Sequence, residues 1–412
     1  MGKLPIRARV ATTLGDAAGR VSRLTGRGDG SVIGGVVGLR VAPDLLSQLA
    51  VGRQIVMVTG TNGKTTTTRL VAAAIGSLGQ DVASNAFGAN MESGLVSALS
   101  GSPDAPYAVL EVDERYLPSM MRETRPRVVV LLNLSRDQMD RAAEIWLVAK
   151  RWRDTFGETP DCHVVANADD PLIAWAAGTA AQVTWVAAGQ RWHEDSWCCP
   201  ECGSHLRRDE LGWRCGECGL SRPSARWVLD GGSVIDSAGT VRELDLSLPG
   251  RANRSNAVMA LAAASIFGAD MDQALPYVRS VTSVAGRYTT VQRRGRTLKL
   301  LLAKNPAGWL EALDILEPAL VPVLLAVNAQ VVDGRDTSWL WDVDYRRLRG
   351  RPVFVAGERR TDLAVRLEAD EVGFEVADGI EAAVDMVPPG GLDVIANYTA
   401  FQQVRATLGR TT

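Results

Sequence analysis

The run Val58-Thr-Gly-Thr-Asn-Gly-Lys-Thr-Thr-Thr-Thr68 follows directly on the apolar stretch Ile55-Val-Met57. A buried strand that ends in two glycines and a lysine, then continues as a helix, is a phosphate-binding loop. Gly60 and Gly63 let backbone N–H groups approach phosphate oxygens, and Thr61, Asn62 and Thr66 complete that cradle. Lys64 neutralises phosphate charge. The Thr65 hydroxyl suits a bound Mg²⁺, and the helix opening near Lys64 turns its positive end toward the anion. The widespread form of the loop, G-x-x-x-x-G-K-[ST], needs glycine at position 58, where this chain has Val58. The tighter G-T-N-G-K-T-T form is a narrower signal, and it places a nucleoside triphosphate in the fold.

A loop of this kind sits in an alternating α/β chain, and the surrounding sequence alternates accordingly. Strand-like runs fall at 55–59, 107–112, 128–133 and 163–166, with helical stretches at 65–78 and 141–156. That alternation predicts a parallel sheet covered on both faces, with ligands beyond the carboxyl ends of its strands. The loop, Glu111 and Asn133 all lie at such ends. At 412 residues the chain is too long for one core, so two or three domains are expected. We read an N-terminal stub at 1–50 and an ATP-binding domain at 51–285. A smaller α/β domain at 286–412 has strands at 298–302, 321–327, 352–356 and 392–397.

Charge excludes some partners. The 45 basic residues are balanced by 47 acidic ones, so no global electrostatic case for nucleic acid exists. No apolar stretch is long enough to span a bilayer, and the first 30 residues lack the apolar core of a secretory signal. They carry Lys3, Arg7, Arg9, Arg20, Arg23 and Arg27. Ile6, Val10, Leu14, Ala17, Val21 and Leu24 line one helical face. Two readings follow: a helix docked on the domain, or a basic amphipathic helix in peripheral contact with an anionic membrane.

Five of the six cysteines fall between Cys198 and Cys218. Cys199-Pro-Glu-Cys202-Gly and Cys215-Gly-Glu-Cys218-Gly are two C-x-x-C-G knuckles, each turning so that both thiolates face one ion. Together they predict a zinc ribbon with four cysteine ligands, inserted at about 192–226. Cys198 is a competitor for the place of Cys199. Four protein ligands leave no open position, so the expected role is structural. The ribbon's Arg207, Arg208 and Arg214 are matched by Glu201, Asp209, Glu210 and Glu217, which argues against a nucleic-acid role. Cys162 reads as buried core. With three histidines in all, an internal nucleophile–His dyad is improbable, and ATP activation of a substrate is the better chemistry.

Beyond the loop, six motifs in order resemble the Mur ligase family. Gly88-Ala-Asn90-Met resembles the asparagine loop near Mg²⁺, and Glu111 stands at the family's metal-binding glutamate. The stretch from Asn133 to Asp140 resembles the one in which a histidine follows the first aspartate, here Gln138 after Asp137. Gly250-Arg-Ala-Asn253-Arg-Ser-Asn256 matches the helix start whose amides read adenine. Gly286-Arg287 matches the interdomain arginine, and Lys304-Asn305-Pro306 the C-terminal lysine segment, with Leu302 where many members have aspartate. The family implies ATP and Mg²⁺, a phosphorylated carboxylate and attack by an amine.

The short N-terminal region, the ribbon, and the segments from Leu302 to Gly308 and Asp333 to Asp342 are similar to one branch, the MurT family. That resemblance implies the ligase subunit of lipid II isoglutaminyl synthase, a cytoplasmic enzyme for which the inner face of the cytoplasmic membrane is an open alternative. Its partner would be the glutaminase subunit GatD and its substrate lipid II, amidated at the D-glutamate α-carboxyl. It also implies that an aspartate of the Trp-rich motif completes the partner's Cys–His pair. Asp342 is the first choice, with Asp336 and Asp344 behind it and Trp339 and Trp341 as anchors. An alternative is a stand-alone ligase that adds an amino acid, as folylpolyglutamate synthases do.

Overall fold

The computed structural model describes residues 4–24, 32–85, 89–137, 144–283, 288–316, 321–331 and 333–408. The chain divides into two units. The first gathers 1–134, 144–248 and 252–282, and the second 135–143, 249–251 and 283–412.

The first unit is built on a nine-stranded sheet. Its strands are β1 (Gln54–Thr59), β2 (Val82–Ser84), β3 (Tyr107–Glu111), β4 (Val128–Leu131), β5 (His163–Asn167), β6 (Gln182–Ala187), β9 (Trp227–Asp230), β10 (Ser233–Ile235) and β11 (Val241–Glu243). They run in the order β11-β10-β9-β6-β5-β4-β1-β3-β2. From β2 to β9 all neighbours are parallel, and β9 to β11 form an antiparallel edge. The central strands are unbroken apolar runs because helices cover both faces. β1 lies between β3 and β4, with Val58 opposite Glu111 and Thr59 opposite Leu131. Three strand ends therefore meet at one rim.

Asp170 locks that rim. It caps the helix Pro171–Ala177 through the N–H groups of Leu172 and Ile173, and its other oxygen accepts from Leu134 N at 2.9 Å. Complete burial pushes its pKa up from 3.8 to about 6. The folded chain thus holds this proton more tightly than the unfolded one, so the associated stability is full below about pH 4 and is lost as pH rises through about 6. Denaturant midpoints of wild type and Asp170→Asn between pH 4 and 7 check this. Wild type should lose up to about 3 kcal/mol that the variant does not lose.

The knuckle segment forms the hairpin β7 (Leu206–Asp209) and β8 (Gly212–Cys215). Its small core of Cys199, Leu206, Trp213 and Cys215 packs on Ala174. Trp213 Nε1 donates to Ala168 O at 3.0 Å, and Arg222 pairs with Asp169 at 2.5 Å. The ribbon is bolted to the loop that follows β5.

Residues 1–50 supply the helices Ile6–Leu24, Ile33–Val41 and Leu45–Ala50, which cluster with the first unit. The first helix docks, but not by its apolar stripe. Its buried face is Ala8, Ala11, Gly15 and Gly19. Gly15 lies so close to Gly34 that a Cβ on it would stand 2.6 Å from the Gly34 carbonyl oxygen. Only glycine permits that backbone approach.

The second unit holds a six-stranded sheet of β12 (Tyr288–Arg293), β13 (Arg296–Leu302), β14 (Val323–Ala326), β15 (Val353–Ala356), β16 (Glu375–Val376) and β17 (Gly390–Ala396). The order is β12-β13-β17-β14-β15-β16, parallel except for the β12–β13 hairpin. That hairpin turns through Arg294 and Gly295, both at positive φ (49° and 75°), as a tight two-residue turn requires.

Candidate active site

The phosphate loop leaves β1 at Thr59 and enters the helix Lys64–Gly76. Gly60 (φ 137°) and Gly63 (φ 88°) adopt conformations that side chains resist. A Cβ on Gly63 would also stand 2.7 Å from Asn256 Oδ1. Asn256, buried on the helix Arg251–Ser265, therefore abuts the loop directly. Asn253 is half-buried on the same helix.

Asn133 grips the loop from β4. Its Oδ1 accepts from Asn62 N at 2.9 Å, its Nδ2 donates to Asn62 O at 3.0 Å, and its backbone oxygen accepts from Thr61 N at 2.9 Å. Thr61, Thr65 and Thr66 are buried. Lys64 is 4% exposed and donates to Gly60 O at 2.7 Å. It also meets Glu114 Oε1 at 3.1 Å. Burial pushes the Glu114 carboxyl above the usual range, against the opposing pull of Lys64.

Glu111 is 1% exposed, and its Oε2 has no hydrogen-bond partner among the described residues. A buried carboxylate oxygen left so is costly unless a cation meets it. Opposite Val58 and close to the loop in register, it has the hard-oxygen chemistry that Mg²⁺ prefers. Asn85 fixes Glu111: its Oδ1 accepts from Glu111 N at 2.7 Å, and its Nδ2 donates to Glu111 O at 2.9 Å. Asn90 is half-buried, and its backbone oxygen accepts from Asp113 N at 3.0 Å.

Asn85 and Glu114 were not singled out from the sequence. Glu114 had a signal, an acidic residue three positions beyond Glu111. Asn85 follows a three-residue strand and had none. Gly88, Gln138 and Arg287 lie outside the described residues.

In the second unit Lys304 is half-buried just beyond β13, ahead of the helix Pro306–Ile315. Asn305 caps that helix, accepting from Gly308 N at 2.9 Å. Asp342 ends the short 3₁₀ helix Ser338–Asp342 and pairs with Arg136 at 3.3 Å. Asp336 is occupied with capping Ser338 N, and Asp344 holds Arg346 through both oxygens. Trp339 is buried against Trp309, with ring centroids 5.9 Å apart. Trp341 does not share that anchoring. It is 57% exposed, with the Arg366 guanidinium 5.2 Å from its ring centroid. Asp333 accepts from Thr399 N at 2.9 Å, tying its loop to the helix Tyr398–Leu408.

The ribbon thiols converge. The Sγ atoms of Cys199, Cys202, Cys215 and Cys218 all lie within 4.8 Å of one another. Two pairs, Cys199–Cys218 and Cys202–Cys215, are 3.5 Å apart. Tetrahedral zinc with sulfur ligands needs sulfur–sulfur separations of about 3.8 Å, so the donor set fits. Cys198 stays outside, bridged by its backbone to His205.

A covered parallel sheet, a lysine-bearing phosphate loop and a buried carboxylate at the next strand end define an ATP-dependent ligase of the Mur type. The Mur ligase middle domain family matches residues 58–264, and the MurT ligase C-terminal family matches 302–401. The lipid II isoglutaminyl synthase (glutamine-hydrolyzing) subunit MurT of Streptococcus pneumoniae is 31% identical over 96% of this chain and 97% of its own length. The subunit of that name from Staphylococcus aureus is 29% identical over 98% of each. A UDP-N-acetylmuramoylalanine–D-glutamate ligase from Pelotomaculum thermopropionicum matches less: 30% identity over 63% of this chain and 51% of its own. Among solved structures, a pseudomurein peptide ligase type C from Methanothermus fervidus superposes with a TM-score of 0.69 at 20% identity, covering 89% of this chain and 81% of its own. That last likeness supports the fold. The chain belongs to the MurT family of Mur ligases.

Proposed function

We propose that this chain is the ligase subunit of a lipid II isoglutaminyl synthase, converting the α-carboxyl of the stem-peptide D-glutamate to an amide. The observation that carries the proposal is the nearly full-length match to MurT subunits, together with the MurT C-terminal match at residues 302–401. The amino-acid-adding ligase fits less of the chain.

ATP sits with its phosphates on residues 60–66, and Asn253 and Asn256 lie toward the base. Thr65 and Glu111 are the Mg²⁺ ligands, with Asn85 holding Glu111 in place. Mg²⁺ supplies charge neutralisation at the phosphates. The substrate carboxylate attacks the γ-phosphorus and ADP leaves. Ammonia then attacks the acyl carbon, phosphate leaves, and the nitrogen loses a proton. Lys304 and Arg287 steady the negative charge on the transferring group. The ammonia comes from a glutaminase of the GatD type, whose Cys–His pair Asp342 completes. The enzyme works in the cytoplasm, and zinc holds the ribbon as a structural ion on Cys199, Cys202, Cys215 and Cys218.

The test is ATP-dependent amidation of lipid II by the purified chain. Product with ammonium alone, and with glutamine only once the glutaminase is added, supports the proposal. Product with a free amino acid but not with ammonium overturns it in favour of the stand-alone ligase. For the ribbon, Cys202→Ser should weaken zinc binding by more than about a hundredfold and lower the melting temperature. Full zinc retention by atomic absorption would contradict the ligand set.

A further inference from the structure

The helix Ile6–Leu24 is turned inside out relative to an ordinary surface helix. Its buried side is Ala8, Ala11, Gly15 and Gly19, while Ile6, Val10, Leu14 and Leu24 are 74, 47, 47 and 86% exposed. Their spacing places all four on one side of the helix, opposite the docked side. Val32, Ile33 and Val36 on and beside the next helix add 45, 41 and 37% exposed apolar surface. A stripe of this size on a soluble chain marks a contact surface.

Charge identifies the contact. The helix carries Arg7, Arg9, Arg20 and Arg23 against the one acid Asp16. By helical spacing Arg9 and Arg20 border the stripe on one side, and Arg7 on the other, where its Nε donates to Val41 O at 2.7 Å. Apolar residues flanked by arginines suit a helix lying in the plane of an anionic membrane, apolar side down and guanidinium groups at the headgroups. Among the described residues no helix is long and apolar enough to cross a membrane, so the helix would lie on the surface rather than span it.

A second observation points the same way. The helix walls a cavity of about 680 Å³ through Ala11, Thr12, Gly15, Asp16 and Arg20. That cavity reaches Asn85, the residue that clamps Glu111. The helix that carries the exposed stripe therefore also walls the cavity that reaches Asn85.

We infer that this helix is an in-plane membrane anchor for anionic lipid, docked through its glycines so that its apolar stripe stays outward. Its link to a lipid-borne substrate rests on the function proposed above, but lipid binding itself does not.

The test is cosedimentation of the full chain with phosphatidylcholine vesicles, with and without about 30% phosphatidylglycerol, all free of substrate. Binding should be about tenfold greater on the anionic vesicles and fall in high salt. The double variant Val10→Glu, Leu14→Glu should drop to the zwitterionic level, with ATP binding and thermal melting unchanged because both side chains face solvent. Equal binding to both vesicle types, or undiminished binding by the double variant, would overturn the inference. So would absent vesicle binding together with loss of a self-association or of glutaminase binding in the variant, which would make the stripe a protein interface. Because no substrate is present, failure here leaves the ligase assay unaffected, and failure of the ligase assay leaves this one readable.

Discussion

Replacing Glu111 by glutamine is expected to lower ATP-driven amidation by about a thousandfold, with ammonium as nitrogen source, while the chain stays folded. The shape of the side chain is kept, and the buried Oε2, which lacks a partner among the described residues, becomes part of a neutral group. A metal-bridged phosphoryl transfer loses its charge compensation, an effect worth roughly 10²- to 10³-fold even for one well-placed electrostatic contact. Lys64→Ala should be as severe, since the ammonium group that its pocket holds is the loop's only side-chain cation. Asn85→Ala touches no substrate and acts by orienting Glu111. It should cost about 10- to 100-fold, appearing as a higher Mg²⁺ concentration needed for half-maximal rate. The graded order of the three variants, read from rate against Mg²⁺ concentration, is the signature. Equal activity of Glu111→Gln and wild type would remove Glu111 from the metal site.

Asp342→Asn is expected to leave ammonium-driven amidation within about twofold of wild type and to cut the glutamine-driven reaction of the complex by about 10⁴-fold. The second figure is the size seen when an aspartate that orients a catalytic histidine becomes an amide. Asp342 is suited to such a role by position. Trp339 and Leu340 are buried and fix the 3₁₀ helix, and Asp342 emerges at its end, half-exposed and held by Arg136 at 3.3 Å. A partner histidine would compete with Arg136 for the same carboxylate. Loss of both reactions to the same extent would return Asp342 to a structural role.

The parts of this architecture that can be read from residues alone are those under the tightest physical constraint. A phosphate loop needs its glycines and lysine in fixed order, and a central parallel strand needs an apolar run. The rim of β1, β3 and β4 was accordingly legible, as was the four-thiolate cluster. Three features were hidden for identifiable reasons. β2 is only Val82–Ser84, too short for a periodicity, so the clamp that Asn85 places on Glu111 had no local sign. Trp339 and Trp341 stand two apart on a helix of three residues per turn, and nothing local says which faces inward. The first helix misleads in a different way. Periodicity finds its apolar stripe correctly, but the backbone approach of Gly15 to Gly34 makes the small-residue side the docked one.

The bolt between the ribbon and the loop after β5 has a thermodynamic consequence. Arg222 holds Asp169, the adjacent Asp170 holds the backbone of Leu134, and the preceding Asn133 grips Asn62 in the phosphate loop. Three contacts thus connect the four-cysteine insertion to the nucleotide cradle. Any strengthening of nucleotide affinity by a filled ribbon must be returned as an equal strengthening of metal affinity by bound nucleotide.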